Sequence, residues 1–231
     1  MKTMKTMKTV TVITPTTGKE TLNKLVKSLT DQIGDISIEH ILLWDDTRDE
    51  MSESSSMYNS HVKNYTSYSI ILPGKFVFGD ASGSALRAVG MMAARGDYVT
   101  FADDDVWFEK EHLLTLLKGV EDAKSSWGYC RRMIWHDGKT IGIDEFESVG
   151  NEPCRKVPYE MVDNNSMIFV RRFATSAACL YRETTDYNDD RLMYKFLKDY
   201  AGAPAIVKNV SVHQICPDNL VEFFKIYCIK V

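Results

Sequence analysis

Short β-rich runs alternating with helically spaced apolar residues hold this chain to one broad architecture. Val10 to Thr14, His40 to Trp44, Tyr68 to Leu72 and Tyr98 to Ala102 read as buried strands, rich in β-branched and aromatic residues. After the first run, Leu22, Leu25, Val26 and Leu29 fall at helical spacing, with Thr17 or Thr21 near the cap. Ser84 to Ala94 reads as a second helix, between Gly83 and the stop signal Gly96. Leu113, Leu114, Leu116, Leu117 and Val120 mark a third. Strands and helices at this tempo indicate βαβ units and a mainly parallel sheet, whose ligands sit at the carboxyl ends of the strands. Three of these ends carry ligand-type residues: Thr14-Pro15-Thr16, Asp45-Asp46 and Asp103-Asp104-Asp105.

The triplet is the most demanding of the three. Adjacent carboxylates repel one another, and a buried unpaired one is costly. A cation among them resolves both problems. Mg²⁺ and Mn²⁺ prefer oxygen ligands, and Mg²⁺ commonly combines one or two carboxylates with substrate phosphates. The plainer reading is a solvated acidic turn before a helix starting near Glu109, since Asp favours helix N-termini.

The second half has a different texture. Trp127 to Ile134 and Lys139 to Ile143 read as strands around a His136-Asp137-Gly138 turn. Residues 144–164 are polar and irregular, and Ser166 to Val170 is a short strand leading into Arg171-Arg172. Asn188-Asp189-Asp190-Arg191 precedes a helical pattern that stops at Gly202. Ala205 to Val207 reads as a strand with His213 a little beyond it, and Val221 to Val231 reads as a final strand.

Composition narrows the partners. A net charge of −4 argues against nucleic-acid binding by broad charge neutralisation. Five scattered cysteines without a CxxC pair suit a reducing compartment and supply no zinc or disulfide framework. No apolar run is long enough to span a bilayer and no secretory h-region opens the chain. The expected location is cytoplasmic, or peripheral at the inner membrane face. The Met-Lys-Thr repeat of residues 1–9 is expected to be disordered and is assigned no function; residues 10–231 read as one domain.

Taken in order, these motifs resemble family 2 glycosyltransferases of the GT-A fold. Val12-Ile13-Thr14-Pro15-Thr16 is similar to that family's first strand, and Trp44-Asp45-Asp46 to its second-strand acids. Ala85-Leu86-Arg87 through Gly96-Asp97-Tyr98 to the aspartate triplet resembles its Ala-Arg-Asn helix and Asp-X-Asp strand. Asn164-Asn165-Ser166 with Arg171-Arg172 resembles its acceptor-side segment, and Asp189-Asp190-Arg191 stands in the place of its Glu-Asp motif. The likeness covers roughly residues 10 to 215. Departures are Ala88 for Asn, Thr47-Arg48 for Gly-Ser, Asp189 for Glu and Gly18 for Asn. Being short, and with no membrane-associated C-terminal segment in this sequence, the chain is not expected to be a processive polysaccharide synthase.

The resemblance implies a Rossmann-like α/β fold with a mainly parallel central sheet flanked by helices and a smaller mixed acceptor-side sheet. Residues 10–105 would form the nucleotide-sugar half and 106–231 the acceptor and catalytic half. The implied reaction moves a sugar from a nucleotide-diphosphate sugar to the hydroxyl of a glycan or other acceptor. A divalent metal, Mn²⁺ or Mg²⁺, would neutralise the leaving diphosphate. Asp103 and Asp105 are the candidate metal-side carboxylates, with Asp105 favoured as direct ligand. Asp104 would reach the donor ribose or the metal's waters. His213 is a candidate third ligand, although a surface histidine after a strand is an equally good reading. Asp46, with Asp45, would accept from a nucleobase N–H, framed by Thr14, Pro15 and Thr16, and Arg87 would lie near the donor. Asp190 is the candidate general base, with Asp189 orienting it or contacting the acceptor, and a single base opposite the leaving group implies inversion. Two alternatives stay open: a nucleotidyltransferase making sugar nucleotides, and a non-catalytic sugar-nucleotide or carbohydrate-binding relative.

Overall fold

The core grows outward from β1 (Lys8–Thr16), whose side chains alternate between two buried faces. Val10 and Val12 join one apolar layer with Leu22, Leu25 and Leu29 of α1 (Leu22–Thr30) and Leu113, Leu116 and Val120 of α3 (His112–Asp122). Ile13 faces the opposite layer, with Leu86 and Met91 of α2 (Ser84–Ala93) and Met193 and Leu197 of α5 (Asp189–Ala201). Burial on both faces is met by Val10, Val12 and Ile13 and by Thr11 and Thr14, whose hydroxyls are bonded to Glu39 and His40. The computed structural model describes residues 7–44, 58–62, 64–72, 83–150, 160–181 and 189–230.

β1 lies between β2 (Ile36–Trp44) and β5 (Tyr98–Phe101), parallel to both. β2 in turn pairs in parallel with β4 (Tyr65–Ile71), and the short β3 (Ser60–Val62) closes that edge antiparallel to β4. The chain thus builds outward from β1 to one side, then returns to place β5 on the other. That reversal falls between β1 and β5, so their carboxyl ends flank a crevice. Thr14 to Thr16 and the aspartate triplet stand at those two ends.

The mixed half joins the same sheet. β9 (Met167–Val170) runs antiparallel to both β5 and β7 (Trp127–His136). β8 (Lys139–Asp144) returns along β7 through a turn in which Asp137 and Gly138 have φ of 47° and 72°. β10 (Ala205–Ile215) pairs in parallel with β7 and antiparallel with β6 (Val106–Phe108). The acceptor-side strands are therefore a continuation of the parallel sheet through β9, with β6 and β10 branching from it. Among the described residues, no helix is long and apolar enough to cross a membrane.

Several elements differ from the sequence reading. β1 starts at Lys8, inside the repeat expected to fray, because Lys8 and Thr9 pair with Ile36 and Ser37 and Thr9 donates to Asp97 Oδ2 at 3.0 Å. β6 was not expected; its three residues find β10 as partner beyond the triplet. β10 runs on through His213, so the histidine lies within a strand. Ala174–Ala178 form a short helix, α4, after Arg171-Arg172. The expected last strand is mainly a helix, α6 (Val221–Tyr227), followed by the two-residue β11 (Cys228–Ile229). Val221 and Phe224, three apart, both pack towards Ile134 and Cys216, a helical spacing that the β-branched and aromatic composition concealed.

α2 carries site residues, and Gly90 sets how closely it lies on the sheet. A Cβ there would come 2.4 Å from Ile13 Cγ2 and 3.0 Å from Leu43 Cδ1. Ile13 is fully buried and β-branched, so it has nowhere to turn. Gly90→Ala is expected to destabilise the protein by about 1–3 kcal/mol through overpacking, read as a lowered urea midpoint; an unchanged midpoint would show that the helix shifts freely.

Candidate active site

At the crevice the three aspartates meet three different fates. Asp104 is buried and fully engaged: Thr16 Oγ1 donates to its Oδ2 at 2.9 Å, and Lys19 Nζ lies 3.0 Å from its Oδ1. Asp103 is held from two sides. Arg87 of α2 pairs with its Oδ1, and Asn165 donates from Nδ2 to its Oδ2 at 3.1 Å while accepting its backbone N–H at 2.7 Å. Asp105 is the exception, since its Oδ1 is shut off from solvent with no hydrogen-bond partner among the described residues. Lys19 Nζ is 3.9 Å from its other oxygen. Burial, reinforced by the charges of Asp103, Asp104 and Asp163, pushes the Asp105 carboxyl up to about 7, against the pull of Lys19.

Arg87 is buried, and burial works against its charge, but Asp103, Tyr181, Asp190 and Asp189 together hold the guanidinium more firmly protonated than usual. Asp190 stands in the first turn of α5 and accepts the backbone N–H of Asn164 at 3.1 Å. Neighbouring Asp189 accepts from Ser84 Oγ, tying the starts of α5 and α2 together. Burial first, then the charges of Asp163 and Glu147, push the Asp190 carboxyl well above the usual range, while Arg87 and Arg132 pull the other way. Asn164 and Asn165 are thus a two-residue bridge: one grips Asp190, the next grips Asp103. Tyr181 donates to Asn164 Oδ1 at 2.9 Å and fixes the amide.

That bridge is a 3₁₀ turn, Asn164–Ser166, capped by Asp163, whose side chain accepts Asn165 N–H at 2.9 Å. Asp163 is in turn paired with Arg132 Nη1 at 2.5 Å. Arg132, on β7, is almost wholly buried and also binds Asp144 at 2.8 Å, Glu147, and Gln214 Oε1 at 2.5 Å. Burial raises the Glu147 carboxyl to about 7, assisted by Asp144 and Asp163 and opposed by Arg132. Sequence reasoning missed this support. Its one sign was the pair Arg131-Arg132 inside an otherwise apolar strand, where a charge has to find buried partners.

A cavity of about 270 Å³ opens at this point, lined by Pro15, Thr16, Lys19, Gly83, Arg87 and the triplet among others. Gly83, at φ 78°, lets α2 begin against Pro15; a Cβ there would sit 2.7 Å from Pro15 Cβ. Thr14 does not line the cavity, because its hydroxyl is turned into the sheet and bonded to His40 Nε2 at 2.9 Å. His213 is engaged elsewhere. Its Nδ1 accepts from Trp135 Nε1 at 3.0 Å, so its Nε2 carries the proton shared with Glu109 Oε1 at 2.7 Å. Both nitrogens are therefore taken, and the ring stacks on Trp107 at 5.1 Å. Asp45 and Asp46 lie outside the described residues. Among the described residues no group of three His, Cys, Asp or Glu side chains is arranged to hold a metal. The unpartnered oxygen of Asp105, beside the carboxylates of Asp103 and Asp104, is nonetheless the kind of donor a hard divalent cation takes.

A family model described as "Glycosyl transferase family 2" matches residues 11–182 of the 231. The chain belongs to that family. The matched span includes β1 from Thr11 onward, the triplet, the Asn164-Asn165 bridge and Tyr181, and stops before Asp190. Solved structures agree on the fold of this family 2 chain. S. aureus TarS 1–349 aligns at TM-score 0.67 and 16% identity, covering 96% of this chain and 67% of that one. The same fragment in complex with UDP-GlcNAc aligns at TM-score 0.68 and 16% identity over 91% and 59%. A further S. aureus TarS structure aligns at TM-score 0.61 and 15% identity over 90% of this chain but only 37% of its own. The chain therefore spans between about a third and two thirds of these neighbours' lengths. No curated protein sequence matches it significantly.

Two outcomes follow from the charges. With its folded pKa raised to about 7, Asp105 opposes folding increasingly as pH climbs from the unfolded carboxylate range through that value. Asp105→Asn should therefore raise the Tm of the metal-free protein at pH 8, by roughly 2–4 °C per kcal/mol relieved. The gain should vanish near pH 4; a pH-independent gain would contradict the assignment. Arg132→Ala leaves Asp144 and Asp163 buried without their counter-charge and should cost about 3–5 kcal/mol in denaturant unfolding.

Proposed function

We propose that the protein transfers a sugar from a nucleotide-diphosphate sugar to an acceptor hydroxyl, by direct displacement with inversion at the anomeric carbon. The observation that carries this reading is the Asn164-Asn165 bridge, which fixes a donor-side carboxylate, Asp103, and a strongly basic one, Asp190, to the same rigid turn. Membership of glycosyl transferase family 2 supports the reaction class, and the UDP-GlcNAc complex of S. aureus TarS supports a uridine diphosphate sugar as the first donor to try.

Each residue then has a task. Thr16 and Pro15 shape the donor side, and Arg87 lies beside it, held by Asp103. Asp105 would hold the divalent cation, Mn²⁺ or Mg²⁺, with Asp103 and Asp104 steadying the site around it. When bound, that cation supplies charge neutralisation at the leaving diphosphate. Asp190, made more basic by burial and by Asp163, takes the proton of the acceptor hydroxyl as that oxygen attacks. Asn164 keeps its carboxylate aimed, and Asp189 ties the helix to α2. His213, bonded to Glu109 and Trp135, is given no ligand role.

The test is a panel of nucleotide sugars with and without Mn²⁺, followed by identification of the product's anomeric configuration by NMR. An inverted product from one donor is expected, and retention would overturn the role of Asp190. Asp190→Asn should lower kcat by about 10²- to 10⁴-fold while leaving the affinity for UDP nearly unchanged. In the wild type the rate should rise with pH along a limb above the ordinary carboxylate range, because the raised Asp190 carboxyl has to lose its proton before it can act.

A further inference from the structure

Lys19 follows a turn pinned by the same hydroxyl that holds the triplet. Thr16 Oγ1 donates to Asp104 and accepts the Gly18 N–H at 2.9 Å, with Gly18 at φ 82°. The turn delivers the Lys19 ammonium 3.0 Å from Asp104 and 3.9 Å from Asp105, at the cavity the two carboxylates line. Among the described residues the other cation at the triplet is Arg87, which is built into the protein: its side chain is 5% exposed, whereas that of Lys19 is 55% exposed. Lys19 is thus a positive charge on a flexible four-carbon stem, able to leave its carboxylates without disturbing the core.

We propose that Lys19 is an internal counter-ion, holding the Asp104-Asp105 pair while the site is empty and moving to the donor's diphosphate once a divalent cation replaces it. The inference rests on the glycosyl-transfer reading and adds an order to it. Lys19 repels a metal ion that arrives alone and attracts the diphosphate that arrives with it, so metal and nucleotide bind cooperatively. Neither the family likeness nor the motif reading gave this residue a task.

Calorimetric titration tests it directly, with Mn²⁺ alone and then UDP at saturating Mn²⁺, on wild type, Lys19→Ala, Lys19→Arg and Asp105→Ala. Lys19→Ala should bind Mn²⁺ alone about tenfold more tightly, the order of effect of one unit charge on a divalent ion a few ångströms away in near-aqueous surroundings. It should bind UDP more weakly by a similar factor, and Lys19→Arg should behave as wild type. If Lys19→Ala binds Mn²⁺ no better than wild type while Asp105→Ala loses it, the metal site stands and the counter-ion role is overturned. Tighter Mn²⁺ with unchanged UDP overturns the transfer to the diphosphate. Absence of both Mn²⁺ and UDP binding in wild type and Lys19→Ala alike overturns the glycosyl-transfer reading itself.

Discussion

The buried guanidinium of Arg132 is the interaction on which the rest of the site depends. Four acidic side chains, Asp144, Glu147, Asp163 and Asp190, crowd one region of the interior, and Arg132 contacts three of them. Without it, Asp163 would have no fixed charge partner with which to cap the 3₁₀ turn. Without that turn, Asn164 and Asn165 would lose their common frame, and the two carboxylates they grip would drift independently. A buried ion cluster is a poor source of stability when measured against apolar packing. Here it sets geometry.

The electrostatic surplus is the other side of the same arrangement. Burial first, and then repulsion among acids that Lys19, Arg87 and Arg132 only partly offset, pushes Asp105, Glu147 and Asp190 towards their protonated forms. Such strain, gathered at one end of a sheet, commonly marks a working site, because a carboxylate that resists ionisation is also a better base and a hungrier cation ligand. The fold tolerates it because β1, β2 and β5 are buried on both faces by aliphatic residues that contribute stability elsewhere.

Much of the framework was legible in the sequence. Strands leave β-branched and aromatic runs, and helices leave their spacing, so β1, β2, β4, β5 and α1 to α3 could be read, with errors of up to four residues at their ends. The triplet stood out because charge at the end of an apolar run requires a reason, whereas Arg87 and Asp190 were singled out only by the resemblance to family 2 glycosyltransferases. What could not be read depends on distant partners. β6 is a strand because β10 lies beside it; α6 hid its helical spacing within β-prone composition. His213 could be read equally as a ligand or as a surface histidine, because its partners Trp135 and Glu109 are far away along the chain. Asn164 and Asn165 were noticed as a segment, but their bridging task exists only in three dimensions.

The pairing of β1 with β5 ends at Ile13 and Phe101, with Ala102 N–H still donating to Ile13 carbonyl at 3.0 Å. β1 nevertheless continues three residues further, still paired with β2 as far as Thr16 opposite Trp44. The crevice is therefore a step between strands of unequal length, and its depth is counted in peptide units. Changing the side chains along its walls would alter what fits inside without filling it in. Adding a single residue to β5 would be another matter: it would shorten the step and turn the triplet to the opposite face of the sheet. Substitutions here can retune the recess, while an insertion would turn its carboxylates away.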